Sequence, residues 1–528
     1  MKNSFFKYIF ILFVIGIIIF AIYMIYFKKD TTENVIEEEK IEEEVVLKDL
    51  RLGISNFDTI NPLITNNKEV LNIDKLIFEP LMTFDKDYKL QKCLATECSK
   101  ISPTSYVIKI DNKKRWHDGS ALIAKDVQFT IDRLKEGNSI YSYNVEKVIS
   151  VEVLDADVVK INLSEEVPFF EYNLTFPILP NNYYMGQDFY TSDKIPMGTG
   201  MYKIESIDGS NIVLKKNDKW WNIKNSDAKI ETIQIKIYSE IGELYNNFKL
   251  GNIDIFTSDN ANLENYIGTI GYLKNEFRGR KFEYLAFNCQ DNILQEEAVR
   301  KAIAYAIDKS NITASVYNNE YVATDYPLDY GNYLYDESLQ KIDYNEEQAK
   351  DILEDAGWEY KNNTWQKRED YKTKRLNLTL TVESSNNERI EVAENIKEQL
   401  ARIGIKITIK KVSDSQYQKL LQSKNYEMVL TGVYNSFSPN IESFVARDNL
   451  ENYENEEVNQ ITAEAKNITD ENILKEKYKR IQEIYYSEVP FIGLCRNKTY
   501  IVKSRALSGE IYGNNYFSYY NIESWNRI

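Results

Sequence analysis

The sequence predicts an α/β protein of at least two lobes, preceded by one transmembrane helix, and three observations lead there. A chain of 528 residues is too long for one hydrophobic core, since single cores stop growing at roughly 250–300 residues. Helix-periodic and strand-alternating segments mix along the whole length beyond residue 50, so neither element type is segregated. Ahead of them, the uncharged run YIFILFVIGIIIFAIYMIYF between Lys7 and Lys28 has about the 20 residues that a bilayer crossing requires.

The apolar run lacks the A-x-A-like site of a cleaved secretory signal, because Ala21 is followed by Ile22 and Tyr23; an uncleaved anchor is expected. Lys2 and Lys7 precede it and Lys28 and Lys29 follow it, so flanking charge does not decide its orientation. Residues 30–49 include six glutamates within 37–44, which repel one another and predict a solvated stalk. The folded part then opens with a strand, LRLGIS (50–55), and turn chemistry in NFDTINP (56–62). Amphipathic helices are predicted over 120–136, through Val127, Ile131 and Leu134, and over 296–310, through Val299, Ala302, Ile303, Ala306 and Ile307. Two further helices end at Gly357 and Gly404, each a residue suited to a left-handed C-terminal position. The second runs into the alternating strand IKITIKK (405–411), and a last helix covers Asp470–Ser487.

Composition narrows the function classes. Hydrophobic residues at 43% and charged residues at 28% are ordinary for a globular protein. The balance of 65 basic and 81 acidic residues, net −16, with no basic block beside stacking aromatics, argues against a nucleic-acid partner. Four cysteines (Cys93, Cys98, Cys289, Cys495) make no disulfide framework, although the Cys93–Cys98 spacing allows a small loop; scattered thiols are the simpler reading. The single histidine, His117, lies in RWHDGS (115–120). Asp118 and Ser120 superficially complete a triad, but sequence neighbours seldom acquire triad geometry and Asp-Gly is a turn signal. No H-E-x-x-H, paired C-x-x-C, G-x-x-x-x-G-K-[ST] or G-x-S-x-G motif is present, so no catalytic residue, metal site or cofactor is assigned. The glycines of MGTG (197–200) are read as giving positive φ or a close chain approach at a tight entry rather than a phosphate cradle, and Trp220–Trp221 as a packing pair.

The order of segments resembles the family 5 extracellular solute-binding proteins, the oligopeptide, dipeptide and nickel-type receptors. ISNFDTINPLI (54–64) is similar to the family's opening strand and D-x-L-N-P turn, and YVIKIDNKKRWHDGSALIAKDVQFTIDRL (106–134) to its W-x-D-G…A-x-D-V signature. VEVLDADVVKINLSEEVPFF (151–170), IPMGTGMYKIESIDGSNIVLKKNDKWWN (195–222) and LGNIDIF (250–256) follow, with Met201 in place of a usual proline. YLAFNC (284–289), AVRKAIAYAIDK (298–309), YNEEQAKDILEDAGW (344–358) and IKEQLARIGIKITI (396–409) complete the series in the family's order.

The resemblance implies a two-lobed periplasmic-binding-protein type II-like fold with an extra subdomain in the first lobe. The expected division is an anchor at 1–29, a stalk at 30–49, lobe I at 50–285 with an inserted subdomain at about 82–177, lobe II at 286–494, and a return to lobe I at 495–528. Crossings are expected near 283–286 and 493–497. The implied function is the extracytoplasmic substrate-binding component of an ABC importer, capturing peptides or a similar small solute by hinge closure. Its implied partners are permease subunits with their ATPases, and it is expected to be a monomer. Such a receptor faces outward, which orients the anchor; the absence of a lipobox cysteine sets it apart from lipid-anchored Gram-positive relatives. The alternative is a membrane-tethered solute sensor or interaction protein on the same fold. Ligand-lining residues carried over are Ser55, Asn56, Phe57 and Asp58, and Tyr434, Asn435, Ser436 and Phe437 in the loop TGVYNSFSPN (431–440). Peptide-binding relatives carry D-Y-P-D-P there, with an aspartate for the ligand's ammonium. Here the stretch is N-S-F-S-P, and Glu442 is the nearest carboxylate in sequence. One histidine cannot build an imidazole-rich nickel site, although a metal complex could still be carried.

Overall fold

The structure, a computed structural model, describes residues 11–25, 48–188, 194–225, 228–369 and 371–527. Residues 11–25 form a helix within a separate N-terminal unit, and its large apolar side chains, from Ile11 to Ile25, are exposed. No helix among the described residues is long and apolar enough to cross a membrane. Both ends of the predicted span, 8–10 and 26–27, lie outside the described residues, as does stretch 30–47 of the expected stalk.

The other unit, Lys48–Arg527, is built on an eleven-stranded mixed sheet. Its strands run in the order Lys406–Val412, Asn377–Glu383, Met428–Tyr434, Tyr272–Phe287, Phe491–Ser504, Ile255–Ser258, Asp49–Ser55, Thr232–Tyr238, Asn211–Lys216 and Tyr202–Asp208, with Tyr321–Ala323 added beside Phe491–Ser504. Two strands are much longer than the rest, Tyr272–Phe287 and Phe491–Ser504, and they pair antiparallel through the middle of the sheet. To one side lies an apolar cluster containing Leu52, Ile54, Val70, Ile73, Ile233 and Ile235. To the other lies a cluster containing Leu285, Leu378, Leu380, Val392, Ile396 and Leu400. A third cluster is rich in aromatic rings, including Phe84, Tyr88, Tyr284 and Tyr330. A separate antiparallel sheet is formed by Ala95–Ser102, Ser105–Ile110, Val158–Leu163 and Val148–Asp155.

Most local expectations match the structure, and the mismatch has a physical cause. Helix Asn387–Arg402 is capped by the Asn386 side chain, which accepts from Arg389 N, and it buries Val392, Ala393, Ile396 and Leu400. Gly404 follows with φ 83°, the left-handed exit that glycine permits without strain. The helix predicted as continuous over 296–310 is divided into Glu297–Ala306 and Lys309–Ser315. Asp308 breaks it: its side chain accepts from Asn311 N to start the second helix, while its own N–H is taken by Gln399 Oε1 at 2.6 Å. Periodicity alone cannot see a cap inside an apolar stripe.

MGTG is a close chain approach. A Cβ on Gly198 would stand 1.9 Å from Ile77 O and one on Gly200 2.6 Å from Leu76 O, while Gly200 N donates to Ile77 O at 2.9 Å. Trp220 and Trp221 both donate from Nε1 to the buried Glu79 carboxylate, at 3.1 and 2.8 Å. The four cysteines are free thiols.

At the middle of the sheet Arg496 Nε donates to Asp329 Oδ1 at 2.6 Å, with side chains 0% and 3% exposed. Thr324 Oγ1 also donates to Asp329, Arg278 Nη1 donates to Asp329 O at 2.9 Å, and Arg496 Nη2 reaches Tyr326 O and Pro327 O. Removing one partner of such a pair leaves an uncompensated buried charge. Asp329→Ala is therefore expected to lower unfolding free energy by about 3–5 kcal/mol, measured as the urea midpoint.

Candidate functional site

The elements flanking the two long strands enclose a cavity of about 770 Å³. Helix Lys68–Ile77 supplies one wall, because Lys68, Leu71, Asn72 and Lys75 recur at helical spacing and so share a face. The helix begins where Asn67 caps it, its side chain accepting from Glu69 N and Val70 N. Tyr141, Tyr143, Tyr172 and Tyr516 add aromatic wall, and Tyr434, Ser436 and Phe437 enter from the end of strand Met428–Tyr434.

Arg280 reaches the cavity through an irregularity in the long strand. Pairing between Tyr272–Phe287 and Phe491–Ser504 shifts register between Arg278 and Phe282, and such a bulge re-aims side chains. Gly279 permits it, because a Cβ there would stand 2.0 Å from Asn497 Oδ1; that oxygen accepts from Lys281 N at 3.0 Å. The Arg280 guanidinium lies 3.8 Å above the Phe437 ring and donates from Nη1 to Asn435 O at 2.6 Å. Asn435 N donates back to Arg280 O at 3.0 Å. Phe437 is further packed by Phe84 at 5.3 Å, Tyr88 at 5.9 Å and Tyr516 at 5.3 Å between ring centroids.

The carried-over residues divide into two groups. Tyr434, Ser436 and Phe437 line the cavity. Asn435 is buried, with its amide donating to Pro327 O, and is absent from the lining. Ser55, Asn56, Phe57 and Asp58 are also absent from it. Ser55 N donates to Glu69 Oε2 at 2.6 Å, Asn67 Nδ2 donates to Asn56 O, and Phe57 packs on the apolar cluster. Burial works to raise the Asp58 carboxyl, but hydrogen bonds from Thr65, Asn66 and Thr59 outweigh it and hold the group below its ordinary value. Ser55, Asn56 and Asp58 thus hold 65–69, at the edge of the cavity where Asn66 and Lys68 line it. Glu442 pairs with Lys466 at 3.0 Å and is not a lining residue.

Sequence reasoning missed Lys68, Lys75, Asp259 and Arg280. Lys68 Nζ bridges Asp259 Oδ1 at 3.0 Å and Thr499 Oγ1 at 2.6 Å. Lys75 Nζ donates to Leu71 O at 3.0 Å and sits 4.9 Å from the Tyr516 ring centre. Burial, opposed by Asp74 and aided by the Arg280 charge, pushes the Lys75 ammonium down to about 8. The helical spacing of 68, 71, 72 and 75 was a readable signal for one face; the bulge that presents Arg280 was not.

His117 is a strut. Its Nε2 lies 3.2 Å from Gly200 O and its Nδ1 accepts from Gly198 N at 3.3 Å, an arrangement that fits a neutral ring protonated on Nε2. Asp118 Oδ1 accepts from Ser120 N and Oγ in a local turn. Among the described residues no group of three or more His, Cys, Asp and Glu is disposed to hold a metal ion.

These features define an α/β protein of the periplasmic-binding-protein type II-like fold, with a ligand-sized cavity beside two long paired strands. Residues 89–454 match the bacterial extracellular solute-binding proteins, family 5 (Middle), and the chain belongs to that family, whose members are the substrate-binding components of ABC importers. It is 24% identical over 515 residues to the oligopeptide-binding protein AppA of Bacillus subtilis, covering 90% of this chain and 91% of AppA. The AppA structure in complex with a nonapeptide superposes with TM-score 0.56 at 22% identity, covering 91% of this chain and 99% of that one. NikZ from Campylobacter jejuni in complex with Ni(L-His) superposes with TM-score 0.58, also at 22% identity and with the same coverage.

Burial holds the His117 imidazole down to about 4, so between pH 6.5 and 4 the unfolded chain binds a proton that the native state does not. Its contribution is whole above pH 6.5 and is lost as pH falls toward 4. Relative to His117→Gln, the wild-type chain is expected to lose about 2 kcal/mol over that window, read from urea midpoints of both proteins.

Proposed function

We propose that this chain captures a peptide or a similar small solute in the 770 Å³ cavity and delivers it to ABC permease subunits. The cavity carries this reading, being of the size that encloses small ligands, roughly 300–1,000 Å³, with aromatic walls and a few placed polar groups. Tyr434, Ser436 and Phe437 are assigned to ligand contact. Asn435 and Ser55, Asn56, Phe57 and Asp58 are assigned to holding the loop and the cavity edge.

Closure is assigned to a hinge in the two long strands near 283–286 and 493–497, between lobe I (50–285 with 495–528) and lobe II (286–494). Support comes from the distinct apolar clusters on either side of those strands. The separate four-stranded sheet spanning 95–163 supports an inserted subdomain at about 82–177. The protein is taken to act as a monomer. The apolar run 8–27 is assigned as an uncleaved anchor, with the binding unit on the extracytoplasmic side; the apolar, exposed helix at 11–25 supports it.

Native mass spectrometry of the full-length chain in detergent is expected to release short peptides or one defined small solute on denaturation. A cavity that stays empty after challenge with peptide mixtures would overturn the capture reading. The anchor predicts that the full-length chain resists carbonate extraction from membranes, whereas a chain beginning at Lys48 is released.

A further inference from the structure

The charge inside the cavity is opposite to the charge of the chain. The protein carries a net −16, yet among the described residues the cavity is lined by Lys68, Lys75 and Arg280 against the single carboxylate of Asp259. Asp259 is already paired with Lys68 at 3.0 Å, which leaves Lys75 and Arg280 as the lining cations that make no ion pair among the described residues. Their hydrogen bonds go to backbone oxygens, Leu71 O and Asn435 O, and their faces to the Tyr516 and Phe437 rings. Among the described residues neither has a carboxylate within 4.0 Å. Asp74, beside Lys75 in sequence, is buried with both carboxyl oxygens lacking a hydrogen-bond partner. Burial raises it well above its ordinary value, with the Lys75 charge acting the other way.

Two cations held partly out of water without an anion are costly, and a ligand that brings the anion relieves that cost. The loop offers no carboxylate to an ammonium: it reads Asn435, Ser436, Phe437, Ser438, Glu442 is spent on Lys466, and the lining Asp259 is paired with Lys68. We propose that the cavity recognises its solute through an anionic carboxylate received by Arg280 and Lys75, and that a ligand ammonium is dispensable. This deepens, and rests on, the capture reading.

The test titrates the full-length chain in detergent by calorimetry with one tetrapeptide of alanine and tyrosine in four forms: free, N-acetylated, C-amidated and doubly blocked. Citrate is included as a non-peptide carboxylate. N-acetylation is expected to change affinity by less than about 3-fold, and C-amidation to weaken it by about 10-fold or more. Arg280→Gln and, separately, Lys75→Gln are expected to remove most of the difference between free and amidated forms. Arg280→Lys, which keeps the charge, retains part of it and separates loss of charge from loss of fold. Citrate binding in the absence of peptide binding assigns a free organic acid as the source of the same carboxylate. Amidated peptide binding as well as the free acid, with acetylation abolishing binding, overturns the anion assignment and leaves solute capture standing. Silence of every probe overturns both.

Discussion

Arg496 and Asp329 make the charge pair on which the architecture around the cavity rests. Arg496 belongs to the long strand Phe491–Ser504, and Asp329 to the segment that follows the short strand Tyr321–Ala323. Their bond, with those from Thr324 and Arg278, fixes segment 324–330 against both long strands. That segment in turn holds the loop that lines the cavity: Pro327 O accepts from Asn435, and Tyr330 Oη donates to Ser436 O at 3.3 Å. Arg496 also faces the rings of Phe282 and Tyr330, at 4.6 and 5.2 Å. A buried pair of this kind adds little net stability compared with apolar packing, and what it supplies here is a geometric link. The loop that lines the cavity is thereby referenced to the strands rather than left to its own flexibility.

The secondary structure was legible where short-range chemistry decides it. The left-handed Gly404 and the stripe Ala393, Ile396, Leu400 and Ile403 before it lie within one local segment, and each reads directly from residue type and spacing. The family order was legible for a related reason, since motifs such as RWHDGS and MGTG are packed against each other through His117, Gly198 and Gly200. Glycines that admit no Cβ leave a visible trace in sequence. The split at Asp308 escaped because a cap competes with periodicity only when a distant residue, Gln399, takes the freed N–H.

The site was half legible. Tyr434, Ser436 and Phe437 line the cavity because they follow a central strand out of the sheet, a position the family order conveyed. Ser55 to Asp58 are also at a strand end, but their polar groups are consumed by Glu69, Asn67, Thr65 and Asn66. Strand-end position thus told where a polar group is, not whether it is free. Arg280 was invisible for the opposite reason: its direction depends on a register shift against a strand more than 200 residues away, and on the contact between Gly279 and Asn497. No local pattern encodes that.

The loop and the bulge are better understood together than apart. An aspartate at 436, the loop's polar lining position, would enter a cavity already holding Arg280, whose guanidinium donates to Asn435 O and covers Phe437. At that range it would pair with Arg280 internally and neither charge would remain for a ligand. Ser436 avoids the pairing, and the guanidinium is left held by a neutral carbonyl and an aromatic face. Both partners orient it without cancelling its charge. The neutral loop and Arg280 thus meet in one contact, and under the proposed recognition that contact is what leaves the guanidinium available to an anionic group.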